Sequence, residues 1–308
     1  MAFTAKDVQA LREKTGVGMM ECKKALVETD GDMDKAIDIL RERGLASSAK
    51  KASRVAAEGV VVAYNDKANK VGALVEVNCE TDFVAKNPEF VALSNLIAKT
   101  VAEKNPADLD ALLKETVSGG TMTVEEAVQE LFLKIRENMK VRRFARVEGT
   151  VETYIHAGGS IGVMVEFAAD DAVAAKDEFT VMGKDVAMQV AAMTPAYLDP
   201  ASVPAEVLEH EKAILVAQMK EDPKMASKPD AVLAKIVEGK IGKYYKENCL
   251  LEQAFVKDGD ISVSKYVENT AKALGGDIAV TGFTRFVRGE GIEKKEENFA
   301  AEIASMIK

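Results

Sequence analysis

Few residues in this chain have the types and spacing that covalent chemistry requires. Histidine occurs twice in 308 residues, at His156 and His210, so a His-rich metal site is excluded, and a Ser-His-Asp or Cys-His arrangement has only those two bases to draw on. The three cysteines, Cys22, Cys79 and Cys249, are widely spaced, odd in number and form no Cys-x-x-Cys pair. They fit reduced thiols of a cytoplasmic protein better than a disulfide framework, and leave open a bridge between subunits. No G-x-x-x-x-G-K-[ST] loop occurs. Gly158-Gly159-Ser160-Ile161-Gly162 is glycine-rich but lies between two strand patterns, which suits a tight hairpin better than a phosphate cradle. Carboxylates are abundant, and nothing singles out a catalytic pair. The residues favour a binding protein over an enzyme, with no catalytic residue, no metal and no cofactor of its own.

The most informative stretch is Thr81-Asp82-Phe83-Val84. An apolar strand pattern from Gly72 ends there and a helical pattern follows at once, so the junction is a surface turn that sets a carboxylate beside an aromatic ring. Two readings stand at this stage: the ring lands in a partner, or it tucks back under its own helix.

An internal repeat sets the body around that turn. At an offset of 90 residues, Glu58, Gly59, Val61, Tyr64, Gly72, Val75, Glu76, Ala85 and Lys86 fall on Glu148, Gly149, Val151, Tyr154, Gly162, Val165, Glu166, Ala175 and Lys176. Each copy reads as two strands joined by a hairpin turn (residues 66–70 and 156–160) and then a helix. Thr123-Val124-x-x-x-Val128 matches Ser262-Val263-x-x-x-Val267 at an offset of 139, each opening a helix that leads to a last strand, 142–147 or 278–287. The offset grows by 49 residues, which places an insertion at about 200–248. Its two helical patterns, with Val207, Ile214 and Ala217 and then Leu233, Ile236, Val237 and Ile241 facing inward, predict an antiparallel hairpin. Ahead of the repeat, residues 4–43 predict three short helices, with Thr4 capping the first, Met20, Ala25 and Leu26 carried on the second, and Ala36, Ile37 and Leu40 inward on the third. Residues 44–53 predict a linker, helical in part.

The expected fold class is therefore α+β. A three-helix module with its linker occupies 1–55. Two related antiparallel-sheet/helix subdomains follow, at 56–148 and at 149–199 with 249–291. The helical hairpin occupies 200–248, and a C-terminal helical module 292–308. The net charge of −9 argues against nucleic acid as a direct ligand, no apolar run is long enough to span a bilayer, and no secretory signal opens the chain. Self-association is left open.

Several segments also match one family. Lys14 to Leu26, Thr81 to Asn87, Arg142-Arg143, Tyr154 to Val165 and Gly289-Glu290-Gly291-Ile292-Glu293-Lys294, in that order, resemble elongation factor Ts along nearly the whole chain. The resemblance implies a ubiquitin-associated type of three-helix module and a guanine nucleotide exchange factor for the translational GTPase elongation factor Tu. It implies that Thr81, Asp82, Phe83 and Val84 meet that partner near its Mg²⁺ site, that Arg12, Met19, Met20 and Lys23 form a second contact, and that Ile135, His156 and Val256 lie on the interface. The pattern departs at Arg136, where relatives often have glycine, and at Ser160, where a basic residue is common. The rival reading is an interaction protein whose three-helix module docks a peptide or a ubiquitin-like domain.

Overall fold

The computed structural model describes residues 3–221 and 228–293; the predicted C-terminal helix lies almost wholly outside them. The chain is α+β. The N-terminal helices are α1 (Ala5–Thr15), α2 (Met19–Glu28) and α3 (Met33–Lys51). Asp7 accepts from the Thr4 N–H at 2.6 Å, closing the start of α1. Val8, Leu11, Cys22, Ala25, Leu26, Ala36 and Leu40 fill the space between the three helices. The inward positions of α2 are Cys22, Ala25 and Leu26, an i, i+3, i+4 set, which leaves Met20 63% exposed on the far side. One expectation is corrected here: the expected linker is largely helix, α3 continuing to Lys51. The helix stays docked because Gly44 lies so close to Leu133 that a Cβ would overlap that side chain. Leu133 itself completes the module's core.

The body is built twice. In the first unit β1 (Glu58–Asp66) and β2 (Val71–Cys79) form a hairpin, followed by α4 (Asp82–Ala85), α5 (Pro88–Lys104), α6 (Leu109–Lys114), α7 (Val124–Ile135) and β3 (Met139–Glu148), giving an antiparallel sheet ordered β1-β2-β3. The second unit repeats this with β4 (Thr150–His156), β5 (Ile161–Ala169), α8 (Asp171–Ala174) and α9 (Asp177–Met193). After an insertion of α10 (Ala205–Glu221) and α11 (Asp230–Asn248), it continues with β6 (Ala254–Phe255), β7 (Asp258–Ser262), α12 (Val263–Leu274) and β8 (Ile278–Val287), with sheet order β4-β5-β8. Both middle strands carry a register irregularity at the repeated glutamate, Glu76 and Glu166. The helices, however, correspond at an offset of 89, because β5 passes from Ala169 directly to the capping residue Asp170, with no counterpart of Glu80. The matches of Ala85 with Ala175 and Lys86 with Lys176 are therefore coincidences; the structural partner of Asp82-Phe83-Val84-Ala85 is Asp171-Ala172-Val173-Ala174.

Each sheet buries one face under its own helices, with Phe90 of α5 and Phe179 of α9 as matched anchors. The remaining faces pack on each other through Val61, Leu74 and Phe286. The repeated glycines explain themselves there: a Cβ on Gly72 would run into Val151 and Met164, and one on Gly162 into Val61 and Leu74. At one end of this seam Glu76 is fully buried. Its carboxylate accepts from Arg142 Nη1 (2.9 Å), Arg143 Nε (2.6 Å), Asn78 Nδ2 (3.1 Å) and the Gly289 N–H (2.7 Å). Segments of the family resemblance lying almost 150 residues apart thus converge on one buried charge.

The insertion leaves and re-enters the second unit at one point, where the Ala196 and Tyr197 N–H groups both donate to Asn248 O and Leu250 N–H donates to Tyr197 O. Its two helices pack on each other; Met219 and Ile241 are buried, whereas Ile214 and Ala217, expected inward, are exposed. Among the described residues no helix is long and apolar enough to cross a membrane.

Candidate functional site

The turn at Thr81 is placed by the end of the β2–β3 ladder. Backbone pairing stops at Cys79 opposite Met139, and side-chain carboxylates carry the connection further. Glu80 Oε1 accepts from the Asn138 N–H at 2.6 Å, and Glu137 accepts from both Thr81 N (3.0 Å) and Thr81 Oγ1 (2.8 Å). Thr81 Oγ1 in turn accepts from Val84 N at 3.3 Å and caps α4. Beneath the turn the Cys79 thiol donates to Thr81 O at 3.2 Å, and burial pushes its pKa up to about 12. This thiol is an inert packing group.

What this clasp presents is a single ring. Phe83 is 82% exposed, so the reading in which it tucks under its own helix is excluded. Asp82 beside it is exposed and bonded to Lys86 Nζ at 2.7 Å, and that bond holds its carboxyl below the ordinary carboxylate range. Val84 is 7% exposed and packs in the first core beneath the turn. Thr81 is half-buried with its hydroxyl engaged on both sides. The exposed side chains of the turn are Phe83 and the Lys86-bonded Asp82.

The remaining candidates divide into two sets. Met19 and Met20 are both exposed, flanked by exposed Arg12 and Lys23. The Gly16 loop leading to them abuts Lys134 of α7, where a Cβ would come within 2.7 Å of Lys134 Cγ. Ile135 ends that same helix, half-buried against the first core, two residues before Glu137. The C-terminal end of α7 therefore touches both the loop into the N-terminal helices and the Phe83 turn. His156 and Val256 belong to the second unit. His156 is exposed on the β4–β5 turn with its Nδ1 3.0 Å from Tyr154 Oη. Val256 is exposed beside Phe255, which is core and stacks on Tyr266 at 4.1 Å. Glu80 and Glu137 were not singled out from sequence. Their signal is positional: they stand where the second copy has a one-residue gap and Gly276.

Arg136 takes φ 64° and ψ 25° at the C-cap of α7, and its counterpart in the second unit is Gly275 at φ 72°. The backbone there keeps the shape that glycine favours although the residue differs. Its carbonyl accepts from Lys51 Nζ, a bond that does not depend on the side chain. Arg136→Gly is expected to raise stability by about 1 kcal/mol, since a left-handed side-chain-bearing residue costs roughly that much. Urea denaturation of the two proteins measures it.

Fold and site define an internally duplicated α+β protein that holds an aromatic turn out from its surface on a hydrogen-bonded clasp. The family model for elongation factor TS matches residues 80–290. Similar proteins include elongation factor Ts of Clostridium perfringens (strain SM101 / Type A), 53% identical over 307 residues and 99% of both chains. Another is elongation factor Ts of Clostridium botulinum (strain Loch Maree / Type A3), 48% identical over 305 residues, 98% of this chain and 97% of the relative. The chain belongs to the elongation factor Ts family.

Proposed function

We propose that the chain is a guanine nucleotide exchange factor for elongation factor Tu, acting in the cytoplasm and carrying out no covalent chemistry itself. Binding is the whole mechanism. A factor that holds the nucleotide-free GTPase more tightly than the GDP form weakens GDP binding by the same factor, because linkage is reciprocal. Asp82 and Phe83 press on the GTPase near its Mg²⁺ site. The ring wedges into an apolar crevice and shifts a helix, and because Mg²⁺ demands near-ideal octahedral ligation a small shift suffices to loosen the nucleotide. GTP then rebinds. Met19 and Met20, with Arg12 and Lys23, provide the second contact; Met adapts well to a partner surface. Ile135, His156 and Val256 extend the interface, and no direct contact with nucleic acid is required. In this reading residues 1–55 are a module of ubiquitin-associated type, 56–148 and 149–199 with 249–291 are the two core subdomains, 200–248 is a projecting arm open to self-association, and 292–308 is a C-terminal module.

The observation that carries the proposal is the exposed Phe83 on a clasped turn in a member of this family. Release of labelled GDP from purified elongation factor Tu, with and without the chain, tests it. Micromolar chain is expected to accelerate release, and an unchanged rate rejects the proposal.

A further inference from the structure

The duplication supplies an internal control for the clasp. In the second unit Asp170 caps Asp171–Ala174 with no side-chain bond to a helix N–H. The residue equivalent to Glu137 is Gly276, nothing stands for Glu80, and the residue equivalent to Phe83 is Ala172. Val84 and Val173, at matched positions, are both buried. Strand, turn and short helix therefore form in the second unit with neither carboxylate nor ring, and in the first unit both are present together. The clasp is dispensable for this local fold. In the first unit it grips the N–H and the hydroxyl of the residue immediately before Asp82-Phe83.

We infer that Glu137 is a positioning residue for nucleotide exchange, fixing through Thr81 the angle at which α4 leaves the sheet and hence the direction in which Phe83 projects. The inference rests on the exchange reading. The physical reason is preorganisation: a turn ordered before encounter does not give up interaction free energy to ordering when it binds. The Glu80–Asn138 bond is a second rung that keeps residues 80–81 and 137–138 in register. Thr81 is then the receiver of the clasp, engaged inside the molecule, and not a contact of the partner.

The test is GDP release from elongation factor Tu, measured over a range of concentrations of full-length chain. Glu137→Ala is expected to lower the plateau rate about tenfold or more, the scale of losing charge-assisted hydrogen bonds. The concentration giving half the plateau should move by less than about threefold, because the other contacts persist. Glu137→Gln, which still offers an acceptor to the Thr81 N–H, should recover most of the rate; if the alanine variant does not fold, the glutamine and Glu137→Asp variants carry the comparison. Adding Phe83→Ala to Glu137→Ala should slow release little further, since an unaimed ring has little left to lose. A Glu137→Ala plateau equal to wild type while Phe83→Ala is slow overturns the inference, as do fully independent effects of the two substitutions. A wild-type chain that does not accelerate release rejects the exchange reading instead.

Discussion

Glu76→Ala is expected to cost about 3–5 kcal/mol of folding stability, the range found when one partner of a buried ion pair is removed. The carboxylate is fully buried and is the common acceptor of Arg142, Arg143, Asn78 and the Gly289 N–H. Its removal leaves two guanidinium groups at the seam between the sheets, with Glu290 as the remaining counter-charge, 3.2 Å from Arg143. The damage spreads beyond β2. Arg143 also donates to Val287 O at 3.0 Å and lies over the Phe286 ring at 4.3 Å, so the same side chain that pairs with Glu76 holds the end of β8. Equilibrium denaturation should show a lower midpoint, and Glu76→Gln, which keeps an acceptor but no charge, should lose less. The pH dependence has a definite sign. Burial by itself raises the Glu76 carboxyl, but the Gly289 N–H and the two arginines outweigh it and hold the group below its ordinary 4.5. A carboxyl depressed on folding contributes stability that is fully present above its unfolded value and is lost as pH falls through the folded one. The gap between wild type and Glu76→Gln should therefore be widest near neutrality and narrow under acid, as pH falls below 4.5 and through the depressed folded value. A gap that does not change with pH would show that the charge contributes nothing.

This network also shows what the sequence conveys and what it does not. The repeated glycines and glutamates were legible because each meets a hard constraint: Gly72 and Gly162 lie where another sheet leaves no room for a Cβ, and Glu76 and Glu166 sit at matched irregularities of the middle strands. Convergence was not legible, since nothing in local spacing says that Arg142 and Gly289 face one carboxylate. The one-residue gap after β5 was hidden by the chance identities of Ala175 and Lys176. The end of α3 was misjudged because its continuation depends on docking to Leu133, ninety residues downstream, and not on propensity. Whether Met20 is core or surface stays open in the sequence, because an apolar residue in a helix's first turn carries no phase information until its neighbours are placed. Of the candidate site, Asp82 and Phe83 were readable from the strand-to-helix switch. The Glu80–Glu137 clasp was not, because carboxylates are common and these two act across a separation of nearly sixty residues.

Phe83→Ala is expected to lower the acceleration of GDP release by about thirtyfold, the equivalent of roughly 2 kcal/mol for an aromatic anchor lost from an interface. The same substitution should leave folding stability within about 0.5 kcal/mol of wild type, because the ring is 82% exposed and contributes almost no burial. The pairing of the two readouts is the point. In most proteins a phenylalanine is held in the core, where truncation costs both fold and function together. Here Phe90, seven residues on, has that role, being buried in the first core, while Phe83 stands on the solvent side of a turn whose underside is sealed by Val84 and Ala85. An exposed ring of that size is otherwise a liability for solubility, and its counterpart in the second unit is alanine. Asp82→Ala should have a smaller effect, because its carboxylate already has an internal partner in Lys86 at 2.7 Å. Phe83→Leu should fall between wild type and alanine if the ring acts by filling an apolar crevice, since leucine restores part of the volume. Equal activity of Phe83→Ala and wild type, with both folded, would mean that the turn does not act as the wedge, whichever surface does.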